Sequence, residues 1–187
     1  MRKPAFMYEE AQDWIRTLDL AAHPEGGYYR ETYRSDIRIS NIPISDIPIT
    51  VGSADHHEKA AAGSRSLSTA IYFLLEREQI SSLHRIRSDE AWHFYAGSGL
   101  LVEGILTSGE RKTWRLGLDA DAGERPQCVV PAGTWFGAHL VDKTKYALAG
   151  CTVAPGFDFA DFELARRGDL LSQFPQHADL IRRLTDP

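Results

Sequence analysis

Seven short apolar runs, each closed by a turn signal, occupy the chain from Ser68 onward and restrict it to packed antiparallel sheets. They are "STAIYFLL" (68–75), "AWHFY" (91–95), "LLVEGIL" (100–106), "RKTWRLG" (111–117), "QCVVPAG" (127–133), "KYALAGCTV" (145–153) and "DFELA" (161–165). Each is rich in aromatic or β-branched residues, and turns such as Ser108-Gly109, Asp121-Ala122-Gly123 and Pro155-Gly156 separate them. This texture predicts an all-β sandwich or barrel. "AIYFLL" and "QCVV" are apolar on both faces, as expected when one face lines an interior and the other packs on a helix or a second subunit. A homodimer is therefore expected. Ala11, Trp14, Ile15 and Leu18 recur at helical spacing, predicting a short amphipathic helix from Tyr8 to Leu18 that ends before Pro24. The tail from Pro175 to Leu184, with Ala178, Ile181 and Leu184 in register, predicts a closing helix begun by proline.

A chain of 187 residues with a formal charge of -5 fits one domain spanning 1–187. That charge supplies no footprint for nucleic acid, whose binding depends on clustered Lys and Arg. No apolar stretch approaches the roughly 18 residues of a membrane span, and "MRKPAFMYEEAQDW" carries no leader-like apolar core. A cytoplasmic protein without nucleic-acid or membrane partners is expected. Cys128 and Cys151 lie apart in apolar runs and read as reduced, buried thiols. Residues 36–65 form a loop or edge-strand insertion, because Pro43 and Pro48 would each remove a ladder donor from the alternating isoleucines. His56 and His57 within it read as solvated side chains.

The chemistry concentrates in "SSLHRIRSDEAWHFYAG" (81–97). Glu90, six residues and Gly97 resemble the first motif of the cupin superfamily, whose usual form is His-x-His, three or four residues, Glu, six residues, Gly. His84 stands at the first histidine position and Ile86 at the second. "VPAGTWF" is similar to the second cupin motif, Pro-x-Gly-x-x-His, with Phe136 at the histidine position. "HPEGGYYRETYRS" (23–35), "LHRIRSDEAWHFYAG" and "VAPGFDFADFELA" together resemble a small stand-alone cupin branch of unassigned activity. The resemblance implies a double-stranded β-helix with a ligand-sized cavity and dimerisation through an outer sheet face, and it implies no substrate; with the helices expected at either end this is an all-β jelly-roll barrel, for which no cofactor is expected. His84 and Glu90 retain half of the usual cupin donor set. Losing two of four ligands from a site worth ~10–16 kcal/mol removes on the order of 5–8 kcal/mol, so only a weak or adventitious ion is expected at these two residues. His93 and His139 fall at odd offsets from Glu90 and Phe136, which puts them on the opposite face of a regular strand.

"EGGYYRE" also resembles a segment of the metal-independent cupin epimerases that act on nucleotide-linked keto-deoxy sugars, and "LHRI" is similar to their Leu-His-Tyr-Gln. There a histidine removes a proton α to a ketone and a tyrosine returns one. The resemblance implies His84 as base, Glu90 as its orienter, and Tyr28 or Tyr72 as acid. By the two-residue period Tyr28, Arg30 and Thr32 share one face of their strand, and Tyr29, Glu31 and Tyr33 the other. If the first face lines the interior, Tyr28 and Arg30 contact ligand; if it forms a dimer seam, they are interface residues. A buried arginine needs an anionic partner, which favours the pocket. Trp92 and Phe94 share the parity of Glu90 and, with Ile86 and Phe136, predict an aromatic, largely apolar wall suited to a small cyclic ligand. Trp114 and Trp135 read as packing. The expected function is a small-molecule-binding cupin acting as a metal-independent isomerase or epimerase on a small carbonyl or sugar-like compound. The alternatives are a binding or sensing module for a small organic anion and, less favoured, a metal-dependent cupin enzyme.

Overall fold

The computed structural model describes residues 4–39 and 64–186. The core of the 36–65 insertion, with Pro43, Pro48, His56 and His57, lies outside the described residues. Its flanks are inside them: β3 (Arg38–Ile39) pairs with β4 (Arg65–Ser66), Arg38 opposite Ser66.

Two antiparallel sheets face each other. The first runs β1 (Ala21–Ala22), β2 (Tyr28–Arg34), β5 (Thr69–Glu76), β12 (Tyr146–Ala154), β7 (Asp89–Gly97), β10 (Gln127–Val130). The second runs β13 (Glu163–Leu164), β6 (Ile80–Arg85), β11 (Trp135–Leu140), β8 (Leu100–Ile105), β9 (Arg111–Leu116). Neighbours in each sheet are mostly distant in sequence, the mark of a jelly roll. Phe73, Leu75, Trp92, Leu100, Val102, Phe136 and Leu140 fill the space between the sheets.

The doubly apolar pattern of β5 is explained by a helix on the outside, whereas Val129 on the outer face of β10 is exposed. Along β5, Phe73 and Leu75 enter the interior cluster, while Tyr72 and Leu74 join the opposite one with Ala11, Trp14 and Ile15 of α1 (Pro4–Thr17) and with Leu18 just beyond it. α2 (Arg167–Gln173) and α3 (Ala178–Arg183) cover the second sheet, where Leu170, Leu180, Ile181 and Leu184 pack on Leu83, Ile105 and Trp135. The closing helix begins as a 3₁₀ turn at Pro175–His177. α2 was hidden in sequence because its seven residues give too little periodicity.

Packing against α1 also separates Tyr28 from Tyr29 in the segment "HPEGGYYRETYRS". Tyr28 and Tyr72 pack beneath α1, and Arg30 donates to the Leu18 carbonyl at 3.0 Å on the exposed side. These three residues therefore sit on the face away from the interior. The cause is α1 itself: its apolar stripe needs the outer face of β2 and β5, which turns Tyr29 and Glu31 inward. A bulge between Glu31 and Tyr33 then shifts the parity, so that Arg34 rather than Tyr33 follows Glu31 toward the interior.

Candidate active site

The first sheet enters its β1–β2 hairpin through residues 23–27, and this loop carries acid–base groups into the barrel. His23 N–H donates to the Gly27 carbonyl and Gly26 N–H to the His23 carbonyl, both at 3.0 Å. Gly26 and Gly27 adopt φ of 108° and 71°. A Cβ at Gly26 would stand 2.1 Å from the Ile80 carbonyl oxygen, so only glycine lets the loop lie against β6. The reward is register: Ser82 N–H donates to the Glu25 carbonyl at 2.8 Å, which holds the Glu25 side chain over the end of β6.

Glu25, His84 and Ser81 form one hydrogen-bonded group. The Ser81 hydroxyl donates to Glu25 Oε1 at 2.8 Å, and Glu25 Oε2 lies 3.2 Å from His84 Nε2. His84 Nδ1 is 2.8 Å from the Ser82 carbonyl, which can only accept, so Nδ1 carries a hydrogen. Neutral imidazole then presents a lone pair at Nε2. Below about pH 7 a proton lies between Nε2 and Glu25, and its loss leaves two lone pairs facing each other, which makes the couple avid for a replacement. His84 and Glu25 are 3 % and 7 % exposed, and burial disfavours both charges. It pushes the Glu25 carboxyl up to about 7, against the opposing charge of His23 and the Ser81 hydrogen bond, and pushes the His84 imidazolium down. Below neutrality the couple is a carboxylic acid donating to an imidazole.

Glu90 lies on β7, where burial also pushes it up to about 7, with the Glu25 charge adding to the shift and His84 and a Cys151 thiol bond opposing it. Both nitrogens of His84 are already engaged, so Glu90 acts on the ring through its charge, whereas Glu25 and the Ser82 carbonyl orient it. His23 completes the group. Its Nδ1 accepts from the Glu25 N–H at 3.3 Å, and burial lowers its tendency to charge.

These groups open into a cavity of about 300 Å³ whose walls are mainly hydrocarbon and aromatic: Tyr29, Ile71, Phe73, Ile86, Phe157 and Phe159. At the mouth Arg34 forks onto Glu31 at 2.9 and 2.6 Å and donates to the Phe157 carbonyl at 3.1 Å. That bond fastens a strap in which Asp158 caps the 3₁₀ turn Phe159–Asp161, Arg65 grips Asp161 at 2.6 and 2.8 Å, and Phe162 stacks on His84 at 5.4 Å.

Of the residues singled out in sequence, His84, Glu90 and Ile86 line this cavity. Phe136 packs on the His84 ring at 4.2 Å, and Trp92 and Phe94 belong to the packed core beyond Phe73 rather than to the open space. Tyr28, Arg30 and Tyr72 lie across the sheet. His93 bonds Thr152 and Gln127, and His139 bonds Glu103. Sequence reasoning missed Glu25, His23, Tyr29, Glu31, Arg34 and the strap phenylalanines. One signal was present: an acidic residue directly before a glycine pair that closes a hairpin on the barrel rim.

The metal donor set of the fold does not fit. Ile86 and Phe136 put hydrocarbon at two of its positions, the Phe136 ring occupies one side of His84, and Glu25 takes the free nitrogen. Among the described residues no group of three or more His, Cys, Asp or Glu is arranged to hold an ion.

Two jelly-roll sheets enclosing a ligand-sized cavity beside a His-x₅-Glu strand pair define a cupin. The sequence matches the family model described as "Cupin superfamily (DUF985)" over residues 12–165, and the chain belongs to that family. It is 40% identical to a solved Shewanella oneidensis protein, with a TM-score of 0.77 over 95% of this chain and 98% of that one. A hypothetical protein from Leishmania major is 33% identical, TM-score 0.79, over 95% and 99% of the two chains. An uncharacterised Saccharomyces cerevisiae protein is 29% identical over 90% of this chain and 79% of its own length. Oxalate decarboxylase from Bacillus subtilis, at 14% identity and a TM-score of 0.51 over 89% of this chain and 37% of that one, shares the fold alone.

Proposed function

We propose that this cupin is a metal-independent isomerase or epimerase acting on a small carbonyl, sugar-like compound. The observation that carries the reading is the His84–Glu25 contact, 3.2 Å between Nε2 and Oε2, buried at the end of an apolar cavity. A general base works best when its proton affinity matches the working pH, and burial brings the Glu25 carboxyl to about 7. The couple, once it has lost its shared proton, accepts one from a carbon α to the substrate carbonyl. The C–H electron pair moves to the carbonyl oxygen as an enolate. Glu90, also raised to about 7, gives its proton to the opposite carbon face for epimerisation, after which exchange with solvent restores both groups; for isomerisation it protonates the carbonyl oxygen, and the enediol then loses its other hydroxyl proton to Glu90 while the couple returns the abstracted proton to the neighbouring carbon. The proton taken and the proton returned balance, and no oxidant or reductant is needed. Tyr29, which lines the same cavity, is the phenol placed to hydrogen-bond the substrate.

The test is hydrogen exchange. Small aldoses, ketoses and related keto compounds incubated with the protein in deuterated water are followed by proton NMR for loss of the α-hydrogen signal. The reading expects exchange that His84→Ala and Glu25→Gln abolish while the thermal transition persists. Exchange that survives His84→Ala would end it, and ligand binding without exchange in any compound leaves a binding module.

The outer face of β7 and β10 supports the further proposal of a homodimer. Tyr95 and Val129 there are about half exposed. Light scattering of the purified protein at the mass of one 20.9 kDa chain would refute it.

A further inference from the structure

The charge inventory of the cavity narrows its ligand. Glu25, Glu31 and Glu90 line it against a single permanent cation, Arg34. Both forks of that guanidinium are committed, to Glu31 and to the Phe157 carbonyl. A carboxylate or phosphate entering here would find no uncommitted cationic donor among the described residues and would approach two buried carboxyl groups. That removes the attraction an anion receptor requires. An ammonium ion meets the opposite conditions. Two carboxyls stand ready to ionise beside it, and four aromatic residues, Tyr29, Phe73, Phe157 and Phe159, line the space; aromatic π-faces attract cations most strongly where water is excluded.

We propose that the cavity is a receptor for small organic ammonium ions, so that the substrate of the acid–base site carries an amine. The proposal rests on the cavity and on the acid–base reading above, and it names the substrate class for that reading.

A coupling follows. A bound cation favours the ionised form of Glu25 and Glu90, so it displaces a proton from them. Facing these carboxyls are His23 on the hairpin loop, Ser81 and His84 on β6, Cys151 on β12 and Cys128 on β10, with Tyr29 and the paired Glu31 and Arg34 of β2 lining the same cavity. Burial pushes both thiols up, so they stay neutral, and both histidines are held toward the neutral form. Among these groups the two carboxyls, both raised to about 7, supply the displaced proton.

The experiment is calorimetric titration of the purified full chain with choline, whose charge does not change with pH. Its control is the alcohol in which a tert-butyl group replaces the trimethylammonium, a probe of nearly the same shape without charge. Glucosamine against glucose repeats the comparison with a primary amine, and the carboxylic acid matching the tert-butyl alcohol supplies the anion. The expected result is that choline or glucosamine binds at least tenfold tighter than its neutral counterpart. For choline, affinity rises by up to about tenfold per pH unit below neutrality and levels off above it. Glu90→Gln flattens that slope. The proposal is overturned if a neutral counterpart binds as tightly as its cation, if the acid binds more tightly, or if neither cation binds at millimolar concentration. The hydrogen-exchange assay separates the two readings. Cation binding without exchange discards the isomerase and keeps the receptor, while exchange on uncharged sugars without cation preference does the reverse.

Discussion

Replacing Glu90 by Gln should make the protein more stable in mild alkali, although it alters a buried residue facing a site. The carboxyl is 8 % exposed and its ionisation is displaced from 4.5 to about 7. A group whose folded value is raised contributes stability that is complete below the unfolded value and is lost as pH rises through the folded one. Here the loss runs from about pH 4.5 to just above 7. The displacement corresponds to about 3 kcal/mol, and relaxation around the charge brings the realised figure to roughly 2–3 kcal/mol. Glutamine has the same shape and does not ionise. In acid it loses a little through its changed contact with the Cys151 thiol; in alkali it escapes the whole ionisation penalty. For a domain of this size the gain is a rise in Tm of about 4–10 °C near pH 8.5, against a fall of a few degrees at most near pH 4.5. Differential scanning fluorimetry of both proteins across this range reads the crossover directly. A Tm difference that stays constant with pH would mean that Glu90 ionises as an exposed carboxylate does, and the dry-cavity argument would fail.

Other consequences are open to test. Gly26→Ala places a Cβ against the Ile80 carbonyl at a positive φ, so it should cost several degrees of Tm and abolish α-hydrogen exchange through displacement of Glu25; a variant with native Tm and native exchange would contradict the role given to the turn. Tyr28→Phe should leave ligand affinity unchanged because Tyr28 packs under α1, whereas Tyr29→Phe should weaken it; equal effects in calorimetry would contradict the assignment of faces. Glu103 accepts from His139, Arg111 and Arg183, which together hold it down to about 2 against its burial. A depressed carboxyl contributes stability above about pH 4.5 that disappears as pH falls through 2. Glu103→Gln should therefore lower the urea midpoint at neutral pH and flatten the acid limb, and an unchanged midpoint would show that the cluster does not hold α3 to the second sheet.

The fold was legible because its signals are local. Alternating apolar strands, turn pairs and the spacing from Glu90 to Gly97 each survive without knowledge of partners. The interior position of His84 followed from the same spacing. What did not follow was which face of β2 looks inward, since Tyr28 and Tyr29 are equivalent under a two-residue period. That choice belongs to α1, whose stripe of Ala11, Trp14 and Ile15 claims the outer face, a long-range fact no window of β2 contains. Glu25 escaped for a similar reason. Its contact with His84 spans 59 positions and depends on a hairpin folding back over β6. The strap phenylalanines carry no periodicity, because Phe159 begins a 3₁₀ turn that Phe157 and Phe162 flank and that Arg34 and Arg65 pin.

The central claim is that His84 and Glu25 share one buried proton at the end of a cavity with mainly apolar walls. Heteronuclear NMR with labelled histidine and glutamate, followed across pH, tests it most directly. The account predicts a permanently protonated Nδ1 on His84 and a Glu25 carboxyl that titrates near 7. A Glu25 carboxyl titrating near 4.5 beside an imidazole titrating near 6.5, each as it would free in water, would contradict it.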